Sequence, residues 1–152
     1  MTFEIFKTQF LEWVQNNIEP TRENGYPICP FARKARLQDR IQFINAHRGI
    51  YGEFLEFDEE NYDIGIAWLG EFTSGIENEL ADLRKGNPHL LYFLSTPQSG
   101  HFTKNFTNCV LIQKKDDIEI KRQVLLDTTY YDDWPEDYYE EIINNGIKYD
   151  LD

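Results

Sequence analysis

The residues of this chain best suited to chemistry lie together in Ile28-Cys29-Pro30-Phe31-Ala32-Arg33-Lys34-Ala35-Arg36. The nucleophilic form of cysteine is the thiolate, so what matters is whether the surroundings favour a negative sulfur. Pro30 suits a first helical position, and Ala, Arg, Lys and Leu are good helix formers, so Cys29 is expected to occupy or precede a helix N-terminus. A helix dipole and nearby cations lower a cysteine pKa from about 8.5 to roughly 3.5–7.5. Cys29 is therefore the candidate nucleophile, and Arg33, Lys34 and Arg36 form a candidate anion-binding group. The competing reading is structural: unpaired cysteine is among the most buried residue types, and Ile28 and Phe31 would hold it in a core.

Two further constellations qualify. The segment Ser95 to Phe102 leaves an apolar run at what should be a strand's C-terminal end, where open α/β sheets hold their ligands. Ser95, Ser99 and His101 make it a candidate ligand loop, although it carries neither a Gly-x-Ser-x-Gly elbow nor a phosphate-cradling loop. Tyr131, Trp134 and Tyr138 form a candidate interaction surface, because Tyr and Trp are enriched in interfaces. The alternative is that these rings pack a last helix onto a sheet. His47, His89 and His101 have no zinc-ligand spacing with each other or with cysteine, so no metal is expected.

The elements that would position these residues follow from periodicity. Phe3, Phe6, Phe10, Trp13 and Val14 recur at helical spacing with Thr2 as N-cap, which predicts a helix over residues 3–18 ended by Pro20. A turn over 19–28 and a short helix after Cys29 come next, then a strand over 41–46 and an extended piece over 49–57. Leu69, Phe72, Ile76, Leu80 and Leu83 predict a long central helix, with Arg84 and Lys85 favourable to its dipole and Gly86 and Pro88 as stops. Residues 89–95, nearly all apolar, predict a strand buried on both faces, and helix into buried strand suggests a crossover unit. Residues 109–113 and 118–127 predict a hairpin about Lys114–Asp117, with Ile118 and Ile120 alternating against Glu119 and Lys121. Asp133-Trp134-Pro135-Glu136 resembles a capping box that opens a C-terminal helix. The expected fold is α+β (or α/β): a single two-layer domain over 1–152, its mixed sheet of four or five strands packed by an N-terminal, a long central and a C-terminal helix.

Composition narrows the function classes. At 152 residues the chain is long enough to support one core without staples, and 15% aromatic residues is rich. The net charge of −12 argues against nucleic acid. It is unevenly placed: Asp127 to Asp152 hold nine acids against one lysine, whereas Arg22 to Arg48 hold six bases against two acids. The N-terminal residues lack the charge and apolar run of a signal peptide, and no stretch is long enough to span a membrane. Cytoplasmic location, with Cys29 and Cys109 both reduced, is the expectation.

Two family resemblances attach to the cysteine segment. Cys29-Pro30-Phe31-Ala32-Arg33-Lys34-Ala35-Arg36-Leu37 resembles the active-site segment of omega-class glutathione transferases and, more distantly, of glutaredoxins. That resemblance implies a thioredoxin fold in which Cys29 forms a mixed disulfide with glutathione, Ala32 replaces a resolving cysteine, and Pro88 takes the position of that fold's cis-proline. The chain departs from the pattern where a helix and a proline-rich turn, not a strand, precede Cys29. Ile28-Cys29-Pro30-Phe31-Ala32 after the Trp13 helix also resembles a small uncharacterised bacterial family built on a Leu-Cys-Pro-Phe-Ala motif, which implies no reaction. The leading expectation is a non-catalytic protein that binds a protein partner or itself and needs no cofactor. The alternative is a glutathione- or thiol-dependent enzyme with Cys29 as nucleophile and glutathione as its only cofactor.

Overall fold

The structure, a computed structural model, describes residues 2–23, 25–47, 56–70, 75–95, 108–132 and 136. Thr2 starts the first helix, α1 (Phe3–Trp13), by accepting the Ile5 N–H on its Oγ1 at 3.2 Å. A five-residue π-helical turn, Val14–Ile18, continues it, closed by Glu19 N–H to Val14 O at 2.9 Å. The sequence explains the change of helix type. The buried residues are Phe6, Phe10, Val14 and Ile18, spaced strictly by four. In an α-helix such a stripe drifts by about 40° per step, and a π turn, with more residues per turn, cancels part of that drift. One continuous apolar edge therefore faces the sheet.

Helix α2 (Ala32–Leu37) starts three residues after Cys29 and buries Ala32 and Ala35, whose small side chains let its backbone approach the sheet. The strands are β1 (Ile41–Asn45), β2 (Ile64–Gly70), β3 (Leu90–Ser95) and β4 (Asn108–Lys114). They form one mixed sheet in the order β1-β2-β4-β3, with β1 parallel to β2 and β4 antiparallel to both β2 and β3. Helix α3 (Ile76–Gly86) links β2 to β3, which run in the same sense on either side of β4, so the expected crossover is present.

Alternation along β2 divides the core. Ala67 and Leu69 face α3 with Leu80, Leu83, Tyr92 and Val110. Ile66 and Trp68 face α1, the π turn and α2, and Phe6 stacks on Trp68 with ring centroids 5.9 Å apart. The protein is thus α+β, with helix layered on a four-stranded mixed sheet and each face of that sheet covered.

Two expectations require correction. Leu69 does not open the central helix; it ends β2 at a bulge where Trp68 pairs with Cys109 and Gly70 with Asn108. Gly70 has φ +68°, and a Cβ there would collide with the His47 ring, so the chain turns at a residue only glycine fits. Helix α3 begins after Gly75, while Phe72 and the extended piece over 49–55 lie outside the described residues. Nor is there a hairpin after β4: Lys115–Leu126 is helix α4. Asp116 and Asp117 sit in its first turn, and the more covered residues Ile118, Lys121, Arg122 and Leu125 fall at helical spacing while Ile120 points to water. The alternation of Ile118 and Ile120 placed one of them inside and the other outside. The C-terminal helix expected from Trp134 onward lies outside the described residues apart from Glu136, which is helical.

Strand β3 has no exposed residue, as expected of a strand covered on both faces, and among the described residues it lies at the margin of the sheet. Lys115 N–H bonds to His89 O, so by alternation the backbone groups of Leu90, Tyr92 and Leu94 point away from β4. The Tyr92 carbonyl is taken by Arg84 Nη2 of α3 at 2.7 Å.

Leu80 is wholly buried between α3 and the sheet. Leu80→Ala is expected to cost about 2–5 kcal/mol in urea unfolding, whereas Ile120→Ala on the exposed side of α4 should change stability by less than about 0.5 kcal/mol.

Candidate functional site

Between the α1 side of the sheet and the turn carrying Cys29 lies a cavity of about 310 Å³. Its floor is Ile41, Ile64, Ile66 and Leu111 of the sheet, and its far wall is Val14 and Ile18 of the π turn. Phe10, Trp13 and Tyr130 contribute aromatic surface, and Cys29 and Gln113 are the polar exceptions. A π turn is uncommon and is found disproportionately at functional sites. Here it is what aims Val14 and Ile18 into the wall.

The turn over the cavity is tied down at three points. Ile28 N–H bonds to Ile18 O at 3.1 Å, and the Tyr130 hydroxyl donates to Ile28 O. Arg36 grips Glu19 with both arms of its guanidinium, Nε to Oε2 at 2.6 Å and Nη2 to Oε1 at 2.8 Å. That grip holds the Glu19 carboxyl below its ordinary value, chiefly through the hydrogen bond.

Cys29 is half-buried and packs with Trp13 and Ile28 against the α1-side core. Burial, the largest influence, pushes its thiol above the ordinary value. The Phe31 and Ala32 N–H groups and the Lys121 charge act in the opposite direction and do not overcome it. The start of α2 thus presents N–H groups to the sulfur, and the apolar packing outweighs them. Cys109 is fully buried on the same side, and burial pushes its thiol to about 12.

The other expected site residues separate. Arg36 is committed to Glu19, while Arg33 and Lys34 are exposed on α2, with Arg33 adding to the field at Glu19. Ser95 is buried at the end of β3 in register with Cys109, whereas Ser99 and His101 lie outside the described residues. Tyr131 meets Tyr130 edge-on at 4.7 Å, and Trp134 and Tyr138 lie outside the described residues.

Sequence reasoning missed Gln113 in the cavity wall and Lys121 over a ring of the turn that carries Cys29. Gln113 makes no side-chain hydrogen bond among the described residues, although its place at the end of an apolar strand was a visible signal. Lys121 lies over the Phe31 ring, its Nζ 5.1 Å from the centroid, and no local signal reveals this because it depends on α4 folding back as a helix. Among the described residues, no group of His, Cys, Asp and Glu is arranged to hold a metal, and no helix is long and apolar enough to cross a membrane. No protein-family description, curated protein or solved structure matches the chain.

Two measurements check this geometry. Iodoacetamide should alkylate the native protein at pH 7 more slowly than a free thiol of pKa about 8.5, with the rate climbing through alkaline pH and Cys29→Ser removing that reaction. Because the Glu19 carboxyl is held below 4.5, its contribution to stability is present above that pH and lost as pH falls through the folded value. Glu19→Gln should therefore destabilise the protein at pH 7, and the gap from wild type should close in acid.

Proposed function

We propose that this chain is a non-catalytic binding protein whose ligand is a small, largely apolar molecule held in the cavity beneath the Cys29 turn. The observation that carries this reading is the cavity itself: about 310 Å³, half open to solvent, with aromatic side chains on its walls and branched aliphatic ones on its floor. A hole of roughly 150 Å³ suffices for benzene, so this one suits a body of about two fused rings. Pockets that bind small molecules are mostly apolar with a few polar groups that fix orientation, and Gln113 and Cys29 supply them. Ordering costs are low, since the turn is already tied to the π turn, to α2 and to Tyr130. With both cysteines free, a reducing compartment fits, and we place the protein in the cytoplasm.

The alternative, a glutathione- or thiol-dependent enzyme, draws on one observation, the position of Cys29 in the cavity wall with two N–H groups directed at its sulfur. Burial favours the neutral thiol there, which makes Cys29 better wall than nucleophile.

The test uses 2-acetylnaphthalene, a neutral two-ring ketone, followed by its own fluorescence and by quenching of tryptophan emission, to which Trp13 contributes. A dissociation constant of roughly 0.01–1 mM is expected for a ligand of this size. Ala32→Leu, which pushes three more carbon atoms into the cavity, should weaken binding at least about tenfold while leaving the unfolding transition cooperative. Equal binding by wild type and Ala32→Leu, or none by either, would place the ligand elsewhere or remove it.

A further inference from the structure

We infer that the molecule held beneath the Cys29 turn is neutral and carries a carboxamide or lactam edge, an N–H beside a C=O, that pairs with the side-chain amide of Gln113. The inference rests on the binding reading above and adds the polar group by which the ligand is told apart. Among the described residues no charged side chain lines the cavity, so nothing in its wall would offset the cost of stripping water from an ionic group. The Tyr130 phenol is given to Ile28 O, and a neutral thiol such as that of Cys29 is only a weak donor. Gln113 differs from both: its amide offers donors and an acceptor, and it makes no side-chain hydrogen bond among the described residues.

The strand register explains why this amide must look to the cavity for a partner. Alternation along β4 puts Cys109, Leu111 and Gln113 on the α1 side of the sheet. The residues beside Gln113 across its two ladders are Ile64 of β2 and Leu91 of β3, and the next along its own row is Leu111. All three are aliphatic, so none can bond the amide. An apolar body that fills the cavity shuts water away from Gln113 and leaves its donor and acceptor unmet, whereas a ligand amide restores both bonds. Glutamine presents N–H and C=O along one edge, and the same edge of a second amide closes a ring of two hydrogen bonds with it. Such a site rejects a ligand of equal shape that lacks the group, because the penalty falls on the protein's own amide.

The experiment uses probes of nearly one shape on the full chain: 2-naphthamide, 2-acetylnaphthalene, which keeps the acceptor and lacks the N–H, and 2-isopropenylnaphthalene, which lacks both. Each is read as the ratio of its dissociation constant in Gln113→Met to that in wild type, so that differences in the hydration of the free probes cancel. Gln113→Met keeps the length of the side chain and removes the amide. The ratio should be at least about fivefold for naphthamide, about twofold for the ketone, and no more than about one for the hydrocarbon, whose continued binding shows the cavity intact. Gln113→Asn, whose amide is set back by one carbon, should weaken naphthamide to an intermediate degree. If Gln113→Met changes the probes alike, or leaves naphthamide unaffected, the inference is wrong and the apolar binding reading still holds. Should no probe bind wild type, the binding reading fails and carries this one with it.

Discussion

Strand β2 is the constraint on which the rest of the structure depends. From Gly65 to Gly70 none of its residues is open to water, so it must be bonded along both edges and roofed on both faces. A single helix would leave one face bare, and each buried aliphatic or aromatic side chain is worth roughly 1.5–3 kcal/mol only if it is covered. The chain meets the demand with helices of different kinds. Helix α3 lays a short amphipathic stripe on one side, while α1, its π turn and α2 lay a longer composite edge on the other. Phe6 and Phe3 both stack on Trp68, so the N-terminal helix is anchored to the centre of the sheet.

The cavity is a consequence of how that second roof is made. A straight α-helix and a short helix of small residues cannot fill the same space as one broad amphipathic surface. Where α1 ends and the chain doubles back through the 19–31 turn, the sheet is covered by aromatic edges and a π turn, and a gap remains. The ties that hold the turn are chemically different from the walls they enclose. A guanidinium-carboxylate pair, a backbone bond and a phenol bond surround a space that is almost wholly hydrocarbon. Such a division lets rigidity come from the rim and leaves the interior able to accept an apolar body.

How much was legible in the sequence depends on the range of the forces involved. The N-terminal helix, the short helix after Cys29, and strands β1, β3 and β4 follow from local periodicity and turn chemistry, and they formed close to their expected bounds. Strand β2 was obscured because Leu69 falls three residues before Phe72 and so lengthened a helical pattern, while the feature that ends the strand is contact between Gly70 and His47. Helix α4 was obscured because two isoleucines alternated, although the acids of its first turn and its Lys, Glu, Gln and Arg content favour helix. At the site, the position of Cys29 at a helix start was visible, whereas the engagement of Arg36 spans 17 residues to Glu19 and no local pattern reports it. Lys121 meets Phe31 only because α4 returns it there.

Strand β3 shows what a sheet margin demands. Leu90 to Ser95 carries no charge, the composition that stacks readily into fibrils, and among the described residues it occupies the rim of the sheet, the position where a ladder can be extended. Arg84 takes the middle carbonyl of that rim, so an incoming strand would meet a gap at its centre and find too few bonds on either side to template further growth. This guard belongs to α3 and exists only once the helix has docked. The uncharged margin of the sheet is therefore guarded at its middle carbonyl only in a chain whose α3 is in place.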